Sequence, residues 1–343
     1  MTTPALTRRG ITLVEVLVVL GVLLILAGLL LPAVQRARAA ARRVQCSNQL
    51  RQMAQALQAY HDTWQTLPGV LYQRYDPTVR TLPANGYLLV SPQLSLLPYL
   101  GWDELYNAFN FTGYWDDPLA QLPRLADVLY ASELNRTALQ TPIDLFLCPS
   151  DRPLRLVAPG TNYFANAGSG PTLVYTPEES PEFGNGVFRF PVTLTFADFT
   201  DGQTSTAVFA ERVRGGGLSR EPRSLRGLLT YSGLTAPSAD AQHGACRQLA
   251  ASSRPSAWFT QVGAFWAVAA YRYTLYNHIQ SPNGPVPDCA NGTYAAMVTA
   301  RSFHPRGVNV AFADGSVRFV PQTIELSIWR AMATPAGGEL AQY

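Results

Sequence analysis

The chain has 343 residues, 26 basic against 23 acidic, and a formal net charge of +3. A charge this small gives no support for nucleic acid as the main partner. The basic residues are all arginine, and 26 glycines with 26 prolines forecast a body rich in turns and irregular stretches.

The first element in chain order is apolar and of membrane length. From Ile11 to Leu31 only Thr12 and Glu15 are polar, and about 20 helical residues span the roughly 30 Å of a bilayer core. Secretory signals have a shorter apolar region, about 7–15 residues, with a small-residue cleavage site after it. Here the small residue, Gly10, comes before the run, so cleavage there leaves the helix on the mature chain. Glu15 is the anomaly, because an ionised side chain inside a membrane segment costs a few kcal/mol. A cut after Gly10 would give Ile11 a free α-amine four residues before Glu15, able to neutralise it in the same helix or a neighbouring one.

The stretch Arg8-Arg9-Gly10-Ile11-Thr12-Leu13-Val14-Glu15 resembles the prepilin motif of type IV pilins and type II secretion pseudopilins. The resemblance implies that a prepilin peptidase cuts between Gly10 and Ile11 and N-methylates Ile11. It also implies that Glu15 pairs with the amine of an adjacent subunit during assembly. Loss of residues 1–10 removes Arg8 and Arg9, taking the net charge from +3 to +1. Arg36, Arg38, Arg42 and Arg43 follow the segment, so a count of basic residues alone would make that end cytoplasmic. The resemblance implies the reverse, a cytoplasmic N-terminus and an exported body, and that is the expectation adopted. The arginine cluster itself reads as a juxtamembrane patch facing lipid headgroups or the acids of neighbouring subunits.

Beyond Pro32, which is expected to kink the helix, alanine-rich sequence runs to Tyr60 without Pro or Gly. Val44, Leu50, Met53, Leu57 and Tyr60 mark one helical face. The domain reading is therefore a leader at 1–10, a transmembrane helix at 11–31, an amphipathic continuation at 32–60, and an exported body at 61–343. That body is long enough for one large domain or two small ones, and its best internal seam, Gly215-Gly216-Gly217, reads equally well as a loop.

Four cysteines allow three disulfide connectivities. Cys46–Cys148 with Cys246–Cys289 is preferred; the first would staple the helix to the body. A zinc site is the alternative. No pair has C-x-x-C spacing and His243 is the only nearby histidine, so no metal is expected.

Residues 303–320 read as a β-hairpin with a two-residue Asp314-Gly315 turn. That register sets Phe312 opposite Val317 and Val310 opposite Phe319, all on one face. A second hairpin is expected around Asp201-Gly202, with Val192, Leu194 and Phe196 before it and Ala207 and Phe209 after. Trp258, Trp266, Tyr271, Tyr273 and Tyr276 read as core rather than as a binding surface.

His304 and Asp314-Gly315 make an H-x9-D-G pattern. Together with Gln45-Cys46-Ser47-Asn48-Gln49-Leu50, Tyr60-His61-Asp62, Leu96-Leu97-Pro98-Tyr99-Leu100, Phe146-Leu147-Cys148-Pro149-Ser150-Asp151 and Ala197-Asp198-Phe199-Thr200-Asp201-Gly202, it resembles a large bacterial pilin-like family of unknown function. The resemblance implies an α+β, pilin-like fold: a long N-terminal helix packed on an antiparallel sheet body with long loops. His304 with Asp314 could be read as acid–base machinery, but Asp314 is the residue its turn needs and Gly315 supplies positive φ, so a structural role is expected. No nucleophile elbow, phosphate loop, H-E-x-x-H or EF-hand pattern is present. Asp198, Asp201 and Asp314 would suit calcium by chemistry, but their spacing does not demand it. Gly-Gly-Glu-Leu at 337–340 reads as plain tail.

The expectation is a non-enzymatic pilin or pseudopilin subunit of a type IV pilus or type II secretion filament. It needs no cofactor and is anchored once in the inner membrane. Its partners would be the prepilin peptidase, like subunits, inner-membrane assembly machinery and the lipid bilayer. The alternative is a membrane-anchored adhesive or ligand-binding ectodomain without a filament.

Overall fold

The computed structural model describes residues 13–73, 87–111, 135–152, 156–216, 226–231, 236–252, 257–292 and 295–338. Gly10 and Ile11 lie outside them. The chain divides into two compact units, Met1–Val44 and Gln45–Tyr343.

Helix α1 runs from Leu13 to Trp64, 52 residues, with Pro32 inside it and Glu15 in its first turn. A bilayer core needs only about 20 of those residues. Within the first unit its described leucines, valines and isoleucine are exposed on every side, so the stretch is apolar all round rather than amphipathic. This helix is long and apolar enough to cross a membrane once. The second unit begins with a different helical surface, in which Cys46, Leu50, Met53 and Leu57 are completely buried and Ala54 nearly so. The spacing of four, three, one and three residues keeps them on one stripe. Burying each of the larger ones stabilises by roughly 1.5–3 kcal/mol. Val44, expected on this stripe, is 59% exposed. The helix continues to Trp64, four residues past the expected end at Tyr60.

The body is α+β. Its strands are β1 Leu71–Gln73, β2 Tyr87–Leu89, β3 Tyr163–Asn166, β4 Ala207–Glu211, β5 Leu228–Tyr231, β6 Ala257–Phe259, β7 Leu275–Tyr276, β8 Cys289–Asn291, β9 Ala295–Met297, β10 Gly307–Phe312 and β11 Val317–Pro321. They form a five-stranded sheet in the order β11-β10-β4-β3-β7, a four-stranded sheet β6-β5-β8-β9, and a β1-β2 pair. The expected α+β arrangement of a long N-terminal helix and a sheet body is found, with the sheets mixed rather than purely antiparallel, because β3–β7 and β5–β8 are parallel. Parallel neighbours need long crossovers, here from Ala165 to Leu275 and from Leu229 to Cys289, and local hairpin signals carry no trace of them. The helix Ala239–Ala251 lies within the second crossover, capped at its N-terminus by Ser238. Cys246, at 0% exposure, bonds that helix to Cys289 on β8.

The C-terminal hairpin forms in a register one residue from the one expected. Ala311 pairs with Val317, Val310 with Arg318 and Asn309 with Phe319. The loop has three residues, Ala313-Asp314-Gly315, closed by Phe312 N donating to Ser316 O at 2.9 Å. Gly315 has φ +85°, as a three-residue loop with a left-handed third position requires. In–out facing does not set this register, because every residue of β10 is buried. A strand covered on both sides carries no in–out alternation to fix its register.

The second expected hairpin is absent. Residues 192–195 form no strand, and Phe196–Asp198 is a 3₁₀ turn held by a capping box between Thr195 and Asp198. Local side-chain bonds of this kind compete with strand pairing. β4 instead lies between β3 and β10. Gly215, at the seam proposed from sequence, is a close-approach position, since a Cβ there would meet Thr260 O at 2.1 Å. Residues 45–343 cluster as one unit across it. Trp266, Tyr271, Tyr273 and Tyr276 are buried core, and Trp258 is half-buried against a smaller cluster around Cys246 and Cys289.

Candidate functional site

The residues singled out by the sequence fall in two places. Glu15 is exposed in the first turn of α1. His304 lies buried in the body just before β10, and Asp314-Gly315 forms the turn after it. The six residues of β10 hold the two ends about 20 Å apart, so His304 and Asp314 are not a catalytic pair. Asp314 Oδ1 accepts from Ser316 N at 2.9 Å and Ser316 Oγ at 2.6 Å, closing its own turn.

The acid beside His304 is Glu211, at the end of β4. His304 Nε2 donates to Glu211 Oε1 at 3.1 Å and stands 3.8 Å from Cys148 Sγ. Asn309 fixes the carboxylate through its backbone N–H to Oε2 at 2.7 Å and its side-chain amide to Oε1 at 2.8 Å. Cys148 is bonded to Cys46 of α1. Beside that bond, Gln49 donates to Asp144 O at 2.8 Å and accepts from Tyr163 Oη at 2.6 Å. The Tyr163 hydroxyl is held well above its ordinary pKa by burial and then by the charge of Glu211.

The H-x9-D-G spacing thereby acquires a physical meaning. At one end of β10, His304 sits beside Cys46 and Cys148. At the other, Gln58 of α1 donates to Ala313 O at 3.2 Å, and a Cβ on Gly315 would stand 3.2 Å from its Oε1. Cys46 and Gln58 are about 18 Å apart along the helix, close to the length of β10. The motif marks the two ends of a strand that runs alongside the helix.

A buried charge network adjoins this junction. Asp151 takes Arg226 Nη1 on Oδ1 at 2.7 Å, and on Oδ2 both Asn162 Nδ2 at 2.7 Å and Arg214 N at 3.0 Å. Asn162 Oδ1 accepts in turn from Cys148 N at 3.0 Å. Asp288 is shared by Arg212 Nη2 at 2.9 Å and Arg301 Nη2 at 3.0 Å. Burial pulls the Arg212 guanidinium down to about 10, against the opposing pull of Asp288. The space left among these groups is about 10 Å³, room for one water at most. The arrangement holds buried charges and a disulfide in place.

None of Glu211, Asp288 or the four arginines stood out in the sequence. The signal available was a charged Glu211-Arg212 pair directly after the apolar run Ala207–Ala210, an acid and a base at the end of a buried strand. The Gly337 and Gly338 amides, read as tail, donate to Asp201 at 2.6 and 3.1 Å. Asp198 accepts from Thr195 N at 2.7 Å, so Asp198, Asp201 and Asp314 each serve a different backbone site.

The DUF1559 profile, described as a protein of unknown function, matches residues 35–327. The chain belongs to the DUF1559 family. The membership covers the later part of α1 and nearly all of the body, starts after the membrane-length stretch, and assigns no activity. It is consistent with a bacterial pilin-like family. No curated protein and no solved structure matches the chain.

One buried histidine of this DUF1559 body predicts a pH response. His278 stacks on Trp329 at 3.7 Å, gives its Nδ1–H to Trp329 O at 2.6 Å, and accepts from Tyr276 Oη at 3.0 Å on Nε2. The neutral ring is fully satisfied, and burial lowers its pKa from 6.5 to about 3. The unfolded chain therefore binds a proton below its ordinary pKa, while the fold refuses one until about pH 3. Stability is complete above about pH 6.5 and falls as pH drops toward 3, by up to about 1.4 kcal/mol per pH unit for this proton alone. Denaturant titrations across that window should show the slope, and His278→Asn should reduce it by one proton.

Proposed function

We propose that the protein is a structural, non-enzymatic pilin- or pseudopilin-like subunit, held once in the inner membrane with its body exported. The observation that carries this reading is the single helix α1. Its first part is exposed and apolar at membrane length with an acid in its first turn, while Cys46, Leu50, Met53 and Leu57 near its end are core. Apolar packing between such helices would drive assembly, and Glu15 would place each subunit through the α-amine of Ile11 on a neighbour, a charge pair that removes the cost of a lone carboxylate in hydrocarbon. Prepilin peptidase and inner-membrane assembly machinery are the partners this requires.

The test is Glu15→Val in the full chain. Membrane insertion should persist, because the change only makes the segment more apolar. Incorporation into sheared filaments should fall at least tenfold, with the mature chain still beginning at Ile11 by intact mass. Filament fractions containing the variant at wild-type levels, or a mature chain that keeps residues 1–10, would refute the reading.

A second reading is a membrane-anchored ligand-binding or adhesive body without a filament. It is favoured by a hollow of about 460 Å³ whose lining includes Tyr60, Trp64, Tyr99, Tyr106 and Phe111, a ligand-sized apolar depression. Monomeric protein in membranes that binds glycan or peptide there would select it.

A further inference from the structure

We propose that Cys46, Cys148, His304 and Glu211 form a binding site for a zinc-class divalent cation in the dithiol state of the chain. The disulfide and the ion would then be alternative ways of closing the same helix–body junction. The inference does not depend on filament assembly.

Among the described residues these four are the group whose ligand atoms gather for a metal: Sγ of both cysteines, a ring nitrogen of His304 and a carboxylate oxygen of Glu211 all lie within 4.8 Å of one another. A tetrahedral zinc with bonds of about 2.0–2.3 Å keeps its ligand atoms roughly 3.2–3.8 Å apart. The observed 3.8 Å from His304 Nε2 to Cys148 Sγ and 3.1 Å from Nε2 to Glu211 Oε1 are already close to that spacing. The two thiolates have to separate to about 3.7 Å, which side-chain rotation supplies at a Cα–Cα distance of 5.2 Å. The supporting shell is built as well. Asn309 fixes Glu211 with two hydrogen bonds, the kind of outer contact that orients metal ligands. Ser302 Oγ accepts from His304 N at 3.0 Å, setting the backbone from which the ring projects. The donor set of two sulfurs, one imidazole and one carboxylate suits zinc rather than calcium or magnesium.

Charge balance favours the exchange. Reduction adds two electrons and two protons to the Cys46–Cys148 bond, giving two thiols. Binding the cation releases both protons and leaves a neutral metal dithiolate in place of a neutral disulfide. The buried network around it therefore sees no change in net charge. His304 shifts its proton from Nε2 to Nδ1 to present a lone pair. The newly made chain is in the dithiol state before any oxidant acts; afterwards a dithiol or phosphine reductant regenerates it and is itself oxidised. Sequence spacing could not show the site, because its ligands come from α1, the segment before residue 151, β4 and the loop before β10.

The test uses the full chain in detergent. After reduction with a phosphine and its removal, the chain is titrated with cobalt(II) and then zinc. The reduced chain should take up one cobalt per molecule, with thiolate charge-transfer bands and the visible bands of a tetrahedral ion, displaced by zinc. The oxidised chain should take up none. His304→Ala and Glu211→Gln should each weaken binding at least tenfold, while Cys246→Ser with Cys289→Ser should leave it intact. X-ray absorption on the unmutated reduced zinc form should count two sulfur and two nitrogen or oxygen ligands, a readout independent of whether any variant folds. No metal uptake, uptake by the oxidised chain, a different sulfur count, or binding lost only in the Cys246/Cys289 variant would overturn the proposal.

Discussion

Asp288→Ala is expected to destabilise the body by about 3–5 kcal/mol, the usual cost of removing one partner from a buried ion pair. Asp288 and Arg212 have fully buried side chains and Arg301 is 4% exposed, with Asp288 accepting from both guanidiniums. Arg212 is already pulled down to about 10 with its partner present, so Asp288→Ala removes the carboxylate that both guanidiniums share. Arg301 keeps Gly284 O and Val286 O, at 2.6 and 2.7 Å, which satisfies hydrogen bonds but not charge. Urea titration of the full chain should show a lower midpoint at unchanged slope. Asp288→Asn, nearly the same shape without the charge, should cost almost as much. Replacing Asp288, Arg212 and Arg301 together by apolar residues should recover much of the loss. A cost below about 1 kcal/mol for Asp288→Ala would show that these charges are solvated after all.

The second large effect is expected from the staple between helix and body. Cys46 and Cys148 are 102 residues apart and Cys246 and Cys289 are 43 apart. On the loop-entropy account the first bond is worth about 4.7 kcal/mol and the second about 4.0. Replacing Cys46 and Cys148 by serine should therefore cost more than replacing the other pair. The gap should widen further because Cys46 also anchors the buried stripe of α1. Proteolysis of the variant should begin near residues 45–64, where α1 would detach. Equal losses for the two pairs would mean that Gln49, Gln58 and the apolar stripe hold the helix without the bond.

The helix and its two surfaces were legible in advance because their signals are local. Membrane length is a run of residues, and the stripe from Leu50 to Leu57 is a period. The turn at Asp314-Gly315 was legible as a turn, but its register was not, because β10 is covered on both sides and alternation carries no information there. Val192 to Phe196 looked like a strand by alternation, and Thr195 with Asp198 converted part of it into a capped turn.

The junction around His304 was illegible for a different reason. His304, Glu211, Cys46 and Cys148 are far apart in the chain and no short spacing links them. Sequence logic offered His304 the nearest acid in its motif, Asp314, which the geometry of a strand places at the far end.

By itself the sequence determined that the chain carries a membrane-length apolar helix with an acid near its start, that this helix continues past the apolar stretch, and that a turn lies at Asp314-Gly315. These follow from composition and periodicity within single elements. Only the tertiary structure decided which acid meets His304, which arginines share Asp288, how β10 runs along α1, and that two parallel strand pairs make the sheets mixed. Those are pairings between distant segments, set by which burials and charge neutralisations can be satisfied together, and a linear pattern does not encode that choice.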